Sequence, residues 1–234
     1  MRNTSFSVLL GLFMLLFGTV TAEAATMTNL SQQQKAIIPI AALTAKGDIP
    51  NLKTAFVQGL DAGLTVNEIK EVLVQMYAYA GFPRSLNGLG AFGEVLKERE
   101  DKGIKDTVGK EASPLPAGKT SLELGTAVQT QLVGAPVNVA ISPAIDEYLK
   151  AHLFGDIFGR DVLDYQSREL ATVAALASLE GVGAQLRSHS NIAMNVGLTP
   201  AQMEELVSVL ADKVGKTEGG RARQALDAAL ASRK

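Results

Sequence analysis

Apolar residues recur every three or four positions along most of this chain. That is the spacing of a buried stripe on an α-helix, and no stretch sustains the strict alternation of a half-buried strand. The pattern predicts helices throughout. Ser31 caps a first helix to about Lys46, which Gly47-Asp48-Ile49-Pro50 breaks. Asn51 is placed to cap a second helix to about Ala62, closed by Gly63, a good residue just past a helix end. Thr65-Val66-Asn67-Glu68 is a capping box that starts a third, to about Tyr79. A fourth runs from Pro83 to about Glu100. The polar stretch from Asp101 to Thr120, with its Lys, Gly, Pro and Ser, reads as a linker. Beyond it the spacing predicts a short helix from Ser121 to Leu132 and another opened by Ser142-Pro143. Further helices follow over about Tyr165 to Leu179, Gly183 to Asn195 and Pro200 to Val214, with a last one from Arg221 to Ser232.

The pattern occurs twice. Gln34-Lys35-Ala36, Ala41-Ala42-Leu43, Leu52-Lys53 and Gly63-Leu64-Thr65 return as Ser167-Arg168-Glu169, Ala174-Ala175-Leu176, Leu186-Arg187 and Gly197-Leu198-Thr199. A solenoid needs three or more copies, so two copies suggest a duplication whose halves pack about a pseudo-twofold axis. At the aligned positions Ala36 stands opposite Glu169, and Ala55 opposite His189. The copies thus differ where a carboxylate and an imidazole could do chemistry.

Composition narrows the function. The chain has no cysteine, which removes disulfides, thiol nucleophiles and thiolate metal sites together. Its net charge is −2, with 22 basic and 24 acidic residues mixed along the sequence, so nucleic acid is not an expected partner. Arg2, the apolar run from Phe6 to Val20 and the small-x-small triplet Ala22-Glu23-Ala24 have the form of a secretory signal peptide. The expected organisation is a signal peptide over 1–24, a first helical repeat over 25–100, a linker over 101–120 and a second repeat over 121–234. The expected location is periplasmic or secreted, with no membrane association after cleavage.

Glu169 lies at the edge of an apolar stripe formed by Leu170, Val173, Ala174 and Ala177. His189 shares a stripe with Leu186, Ala193 and Val196 on the next helix. A carboxylate beside a partly buried imidazole fixes its tautomer and moves protons near neutral pH. The same pair also serves as a plain hydrogen-bonded filler of a polar niche. Ala at both matching positions of the first copy favours function, because the fold does not require the pair. His152 is the only other histidine; two histidines without close ligand spacing make no metal site. Tyr77 and Arg84, in the segment Gln75 to Asn87, are suited to line a pocket and hold an anionic substrate. No Gly-x-Ser-x-Gly nucleophile turn and no phosphate loop occur.

Arg168-Glu169-Leu170, Gln185-Leu186-Arg187-Ser188-His189 and Gly197-Leu198-Thr199 resemble the carboxymuconolactone decarboxylase family. Gly63-Leu64-Thr65 and Tyr79-Ala80-Gly81-Phe82-Pro83-Arg84 are similar to it in the first copy. The resemblance implies an all-α fold of two decarboxylase-like helical repeats, related to the alkylhydroperoxidase fold, that assembles into trimers or hexamers. It implies cofactor-free decarboxylation of a small lactone acid, or a thiol peroxidase chemistry. The family histidine falls on His189, the family glutamate on Glu169, and the peroxidase cysteines on Val182 and Gln185, which departs from the thiol pattern. The expectation is therefore a cofactor-free lyase or isomerase of a small carboxylic acid or lactone. Glu169 and His189 are its proton relay, and His152, Arg187, Tyr77 and Arg84 contact the substrate. The alternative is a non-catalytic oligomeric binding protein of the same fold.

Overall fold

Ser31 accepts the amide of Gln34 and the Gln34 side chain returns to the Ser31 amide, so the chain enters its first helix through a complete capping box. This opens a computed structural model that describes residues 29–233. The segment read as a signal peptide, 1–24, lies outside the described residues. The first repeat is four helices: α1 (Gln32–Lys46), α2 (Ile49–Asp61), α3 (Val66–Ala80) and α4 (Phe82–Asp101). After α5 (Ser121–Val133), α6 (Pro143–Glu147) and a π-helical segment (Tyr148–Ile157), the second repeats the order as α7 (Tyr165–Ala177), α8 (Gly183–Asn195), α9 (Pro200–Lys213) and α10 (Lys216–Ser232). Among the described residues there is no strand.

The repeated capping chemistry sets the repeated shape. Thr65 with Glu68 opens α3, and Thr199 with Gln202 opens α9, both as closed boxes. Gly63 and Gly197, just before them, sit at φ 93° and 104°, where a side chain would be strained. Two boundaries differ from the sequence reading. Asp48, not Asn51, caps α2, because Pro50 inside the first turn lets the helix start earlier. α10 begins five residues before Arg221, at Lys216.

α1 and α7 are buried on every side, α1 over Ile37–Ala45 and α7 over Ser167–Ala177, and they pack against each other at the centre of the molecule. A helix apolar all round belongs inside, and small Ala-rich faces let two such helices approach. Around this pair, each repeat lends its third helix to the other's centre: α3 packs on α7 and α9 on α1. The ion pairs repeat the symmetry. Arg168 on α7 meets Glu71 on α3 at 2.8 Å, and Lys35 on α1 meets Glu205 on α9 at 2.6 Å. These are matching positions of the two copies.

The segment between α4 and α5 carries no regular structure over 104–120 but is held at the start of α3. The amides of Val66 and Asn67 donate to the carbonyls of Thr107 and Val108, and Asp161 accepts from Ser113. α5 and the π-helical segment pack backbone against backbone. A Cβ on Gly125 would overlap the carbonyl oxygen of Lys150, and one on Gly155 would overlap that of Ser121. Their contact encloses a small second core of Val128, Leu132, Phe154, Ile157, Phe158 and Ile192. Gly125→Ala is expected to cost about 1–3 kcal/mol or more, because the obstruction is main chain and cannot swing aside. Urea denaturation checks this; a variant as stable as the parent would show that the two elements separate freely.

Candidate active site

The site is built on α7 and α8, which carry Glu169 and His189 where α1 and α2 carry Ala36 and Ala55. Glu169 occupies the second turn of central α7 and has no exposed surface. The sequence placed it at the stripe's edge; in the fold that edge is closed. His189, on α8, brings Nδ1 to 2.9 Å from Glu169 Oε2, within one chain, and keeps 12% of its side chain exposed. A carboxylate is an acceptor when ionised, so it selects the tautomer with the proton on Nδ1 and leaves the Nε2 lone pair for other work. The second carboxylate oxygen, Oε1, is buried without a hydrogen-bond partner among the described residues. Tyr79 stands edge-on to His189, with ring centroids 5.8 Å apart at 84°. Burial, reinforced by the Glu169 charge, pushes its phenol well above the usual tyrosine range. Tyr79 is therefore a neutral, fixed wall of the imidazole pocket at any physiological pH.

The neighbouring residue on α7, Arg168, is wholly buried. Its Nη2 donates to Glu71 at 2.8 Å and to the carbonyl of Arg160 at 2.7 Å, and its Nη1 donates to Gln75 at 3.0 Å. Gln75 returns two hydrogen bonds, to the Arg168 carbonyl and to Thr172, each 2.9 Å. Arg160 donates Nε to both oxygens of Glu71, at 2.9 and 3.0 Å. Desolvation pulls the Arg168 guanidinium down from its ordinary range, against the Glu71 carboxylate that raises it. This network locks α7 to α3 one residue away from Glu169, so the register of the carboxylate is fixed by ion pairs as well as by packing.

The other expected site residues fall in three places. Tyr77 and His152 meet: the phenol oxygen is hydrogen-bonded to His152 Nε2, and His152 Nδ1 lies 2.9 Å from Asp156. Arg187 is exposed and lines a cavity of about 570 Å³ between the α7–α8 turn and α10. Val182, just before α8, and Leu186 line the same cavity, and Leu186 lies on the stripe of α8 that carries His189. Arg84 is elsewhere. Its guanidinium donates to the carbonyl of Ala45 at the end of α1, against Gly47. The last carbonyls of a helix have no intrahelical donor, and a cation there satisfies one and interacts favourably with the dipole.

The sequence reading missed Arg168, Glu71, Gln75 and Asp156 as partners. A signal existed for the ion pair, since Arg168 and Glu71 align with Lys35 and Glu205 of the opposite copies. For Asp156 it was the four-residue spacing from His152, one turn along a helix.

A family model for carboxymuconolactone decarboxylases matches residues 12–94 and again residues 143–231, together more than half of the chain. The chain belongs to the carboxymuconolactone decarboxylase family. As a tandem member of that family it carries the Glu–His pair only in the second matched segment; the first has Ala36 and Ala55 at those positions. α5 lies outside both matches. No curated relative matches the chain significantly.

Proposed function

We propose that this carboxymuconolactone decarboxylase-family protein is a cofactor-free lyase or isomerase of a small carboxylic acid or lactone. The reading rests on one observation: the 2.9 Å contact between His189 Nδ1 and a Glu169 carboxylate with no exposed surface. In the low dielectric of the core, that carboxylate stabilises the imidazolium formed when Nε2 takes a proton. In a decarboxylation, Nε2 takes the carboxyl proton of an unsaturated lactone acid, the bond from that carboxyl carbon to the ring breaks to release CO2, and its electron pair stays on the ring as a dienolate. Protonated His189 then donates its Nε2 proton to a carbon of that dienolate. An isomerisation removes a proton from one carbon and returns it to another through the same nitrogen. Arg187, in the cavity that borders the His189 stripe, would hold a substrate carboxylate. With no cysteine in the chain, no thiol takes part.

The protein would act after export, as the form of residues 1–24 suggests, and as a homo-oligomer. Exposed apolar side chains such as Ile141, Val108 and Leu115 support association, and light scattering would report a trimer or hexamer rather than a monomer. A second reading, a non-catalytic binding protein, is favoured by the absence of Glu169 and His189 from the lining of the cavity beside Arg187.

Carboxymuconolactone in D2O separates these readings. Release of CO2 with one deuteron on the product ring is the lyase result, and deuterium uptake without CO2 is the isomerase result. Calorimetric binding with neither change would favour the binding protein. Neither binding nor exchange would remove small lactone acids from the proposal.

A further inference from the structure

Away from Glu169, the structure holds a second acid–imidazole–hydroxyl arrangement. Asp156 and His152 are four residues apart on the π-helical segment, and Asp156 Oδ2 lies 2.9 Å from His152 Nδ1. Asp156 Oδ1 accepts the hydroxyl of Ser121 on α5, which fixes the carboxylate. Against the burial that would raise its pKa, the hydrogen bonds from Ser121 and His152 hold Asp156 below the usual aspartate range, so it is ionised near neutral pH. The tautomer then follows: Nδ1–H points to Asp156, and Nε2 accepts the phenol proton of Tyr77. A nucleophile, a base and a residue that orients the base are joined in series through the two ring nitrogens of His152.

The surroundings differ from those of the buried pair. His152 and Asp156 keep 45% and 44% of their side chains exposed, so solutes reach them. Tyr77 stacks on Phe82 with centroids 4.0 Å apart and planes inclined by 19°. Phe82 is itself 59% exposed, and Leu86, one turn on, is 60% exposed, which gives a flat apolar platform beside the phenol. Tyr77 and Tyr79 are two positions apart on α3, about 200° around the axis, and diverge from each other.

We propose that Tyr77, His152 and Asp156 form a second active centre that cleaves small flat esters, with Tyr77 as nucleophile, His152 as base and Asp156 as positioning residue. The Tyr77 oxygen attacks the carbonyl carbon and forms a new C–O bond while its proton passes to His152 Nε2. The original ester C–O bond breaks, and the leaving oxygen takes that proton. Water then attacks the acyl-tyrosine with His152 again as base, which releases the acid and restores the phenol. This does not rest on the role assigned to Glu169 and His189.

The probe is p-nitrophenyl acetate with the full-length protein, read as p-nitrophenolate release and as acetyl-tyrosine in acid-quenched peptide maps. The wild type is expected to carry acetyl on Tyr77 and not on Tyr148, although Tyr148 is the more exposed at 64%. Tyr77→Phe, which keeps the stacking ring, and His152→Gln should each slow release by roughly 10²-fold, the lower end of what a positioned base contributes. Asp156→Asn should slow it while Ser121→Ala, which leaves the Asp156–His152 contact in place, slows it less. Tyr148→Phe, at an exposed tyrosine outside both centres, should leave it unchanged. Release by Tyr77→Phe at the wild-type rate would overturn the proposal. So would acetyl spread equally over Tyr77 and Tyr148, a result read on the wild type and independent of any variant's folding.

Discussion

Glu169→Gln and His189→Gln are each expected to lower turnover of the small acid substrate by about 10²–10⁴-fold, the usual contribution of positioned proton transfer. The two act as one unit, so the double variant should be no slower than the worse single one. Glu169→Gln is the sharper test. Glutamine keeps the shape and can still meet Nδ1 through its carbonyl oxygen, but it brings no negative charge to an imidazolium that has no other carboxylate within contact among the described residues. Steady-state kinetics on folded variants is the check. If both variants turn over at the parental rate, the pair is a structural hydrogen bond, and the binding reading replaces the catalytic one.

The second large effect lies in the ion pair beside it. Glu71→Leu is expected to destabilise the fold by about 3–5 kcal/mol, because it leaves the wholly buried Arg168 cation with only a carbonyl and the Gln75 amide as partners. Arg168→Met should cost less, since Arg160 remains bound to both Glu71 oxygens and reaches solvent with 40% of its side chain exposed. Replacing both residues together should recover most of the loss, as apolar groups of similar volume often substitute for a buried pair without penalty. The internal control is the matching pair of the other repeat. Lys35 and Glu205 keep 29% and 25% of their side chains exposed, and breaking that contact should cost about 1 kcal/mol or less. Urea denaturation of the four variants gives the comparison. Equal costs at the two pairs would contradict the assignment of Arg168 as the buried lock of α7.

Much of this was legible in the sequence because local chemistry and global packing agree. Thr65 with Glu68 and Thr199 with Gln202 announce helix starts, and Gly63 and Gly197 announce the turns before them. The contrast of Ala36 and Ala55 with Glu169 and His189 located the pair, because each residue sits on an apolar stripe that must face the core. What escaped depends on distance along the chain. Arg168 looks like a helix-edge cation until Glu71, 97 residues earlier, takes it inside. Arg84 beside Pro83 looks like a free anion clamp, but the end of α1, 39 residues earlier, takes its guanidinium. The widened turns of the π-helical segment cannot be told from α-helix by apolar spacing over ten residues, so the meeting of His152 with Tyr77 was not visible.

The central claim is that Glu169 holds His189 in one tautomer with Nε2 unprotonated and ready. Long-range ¹H–¹⁵N correlation spectra of the imidazole rings test it most directly, with His152→Gln removing the other histidine. Above the titration range of histidine, the account predicts a proton on Nδ1 of His189, hydrogen-bonded and protected from solvent, and loss of that protection in Glu169→Ala. A proton on Nε2 in the wild type, or a spectrum unchanged by Glu169→Ala, would contradict it.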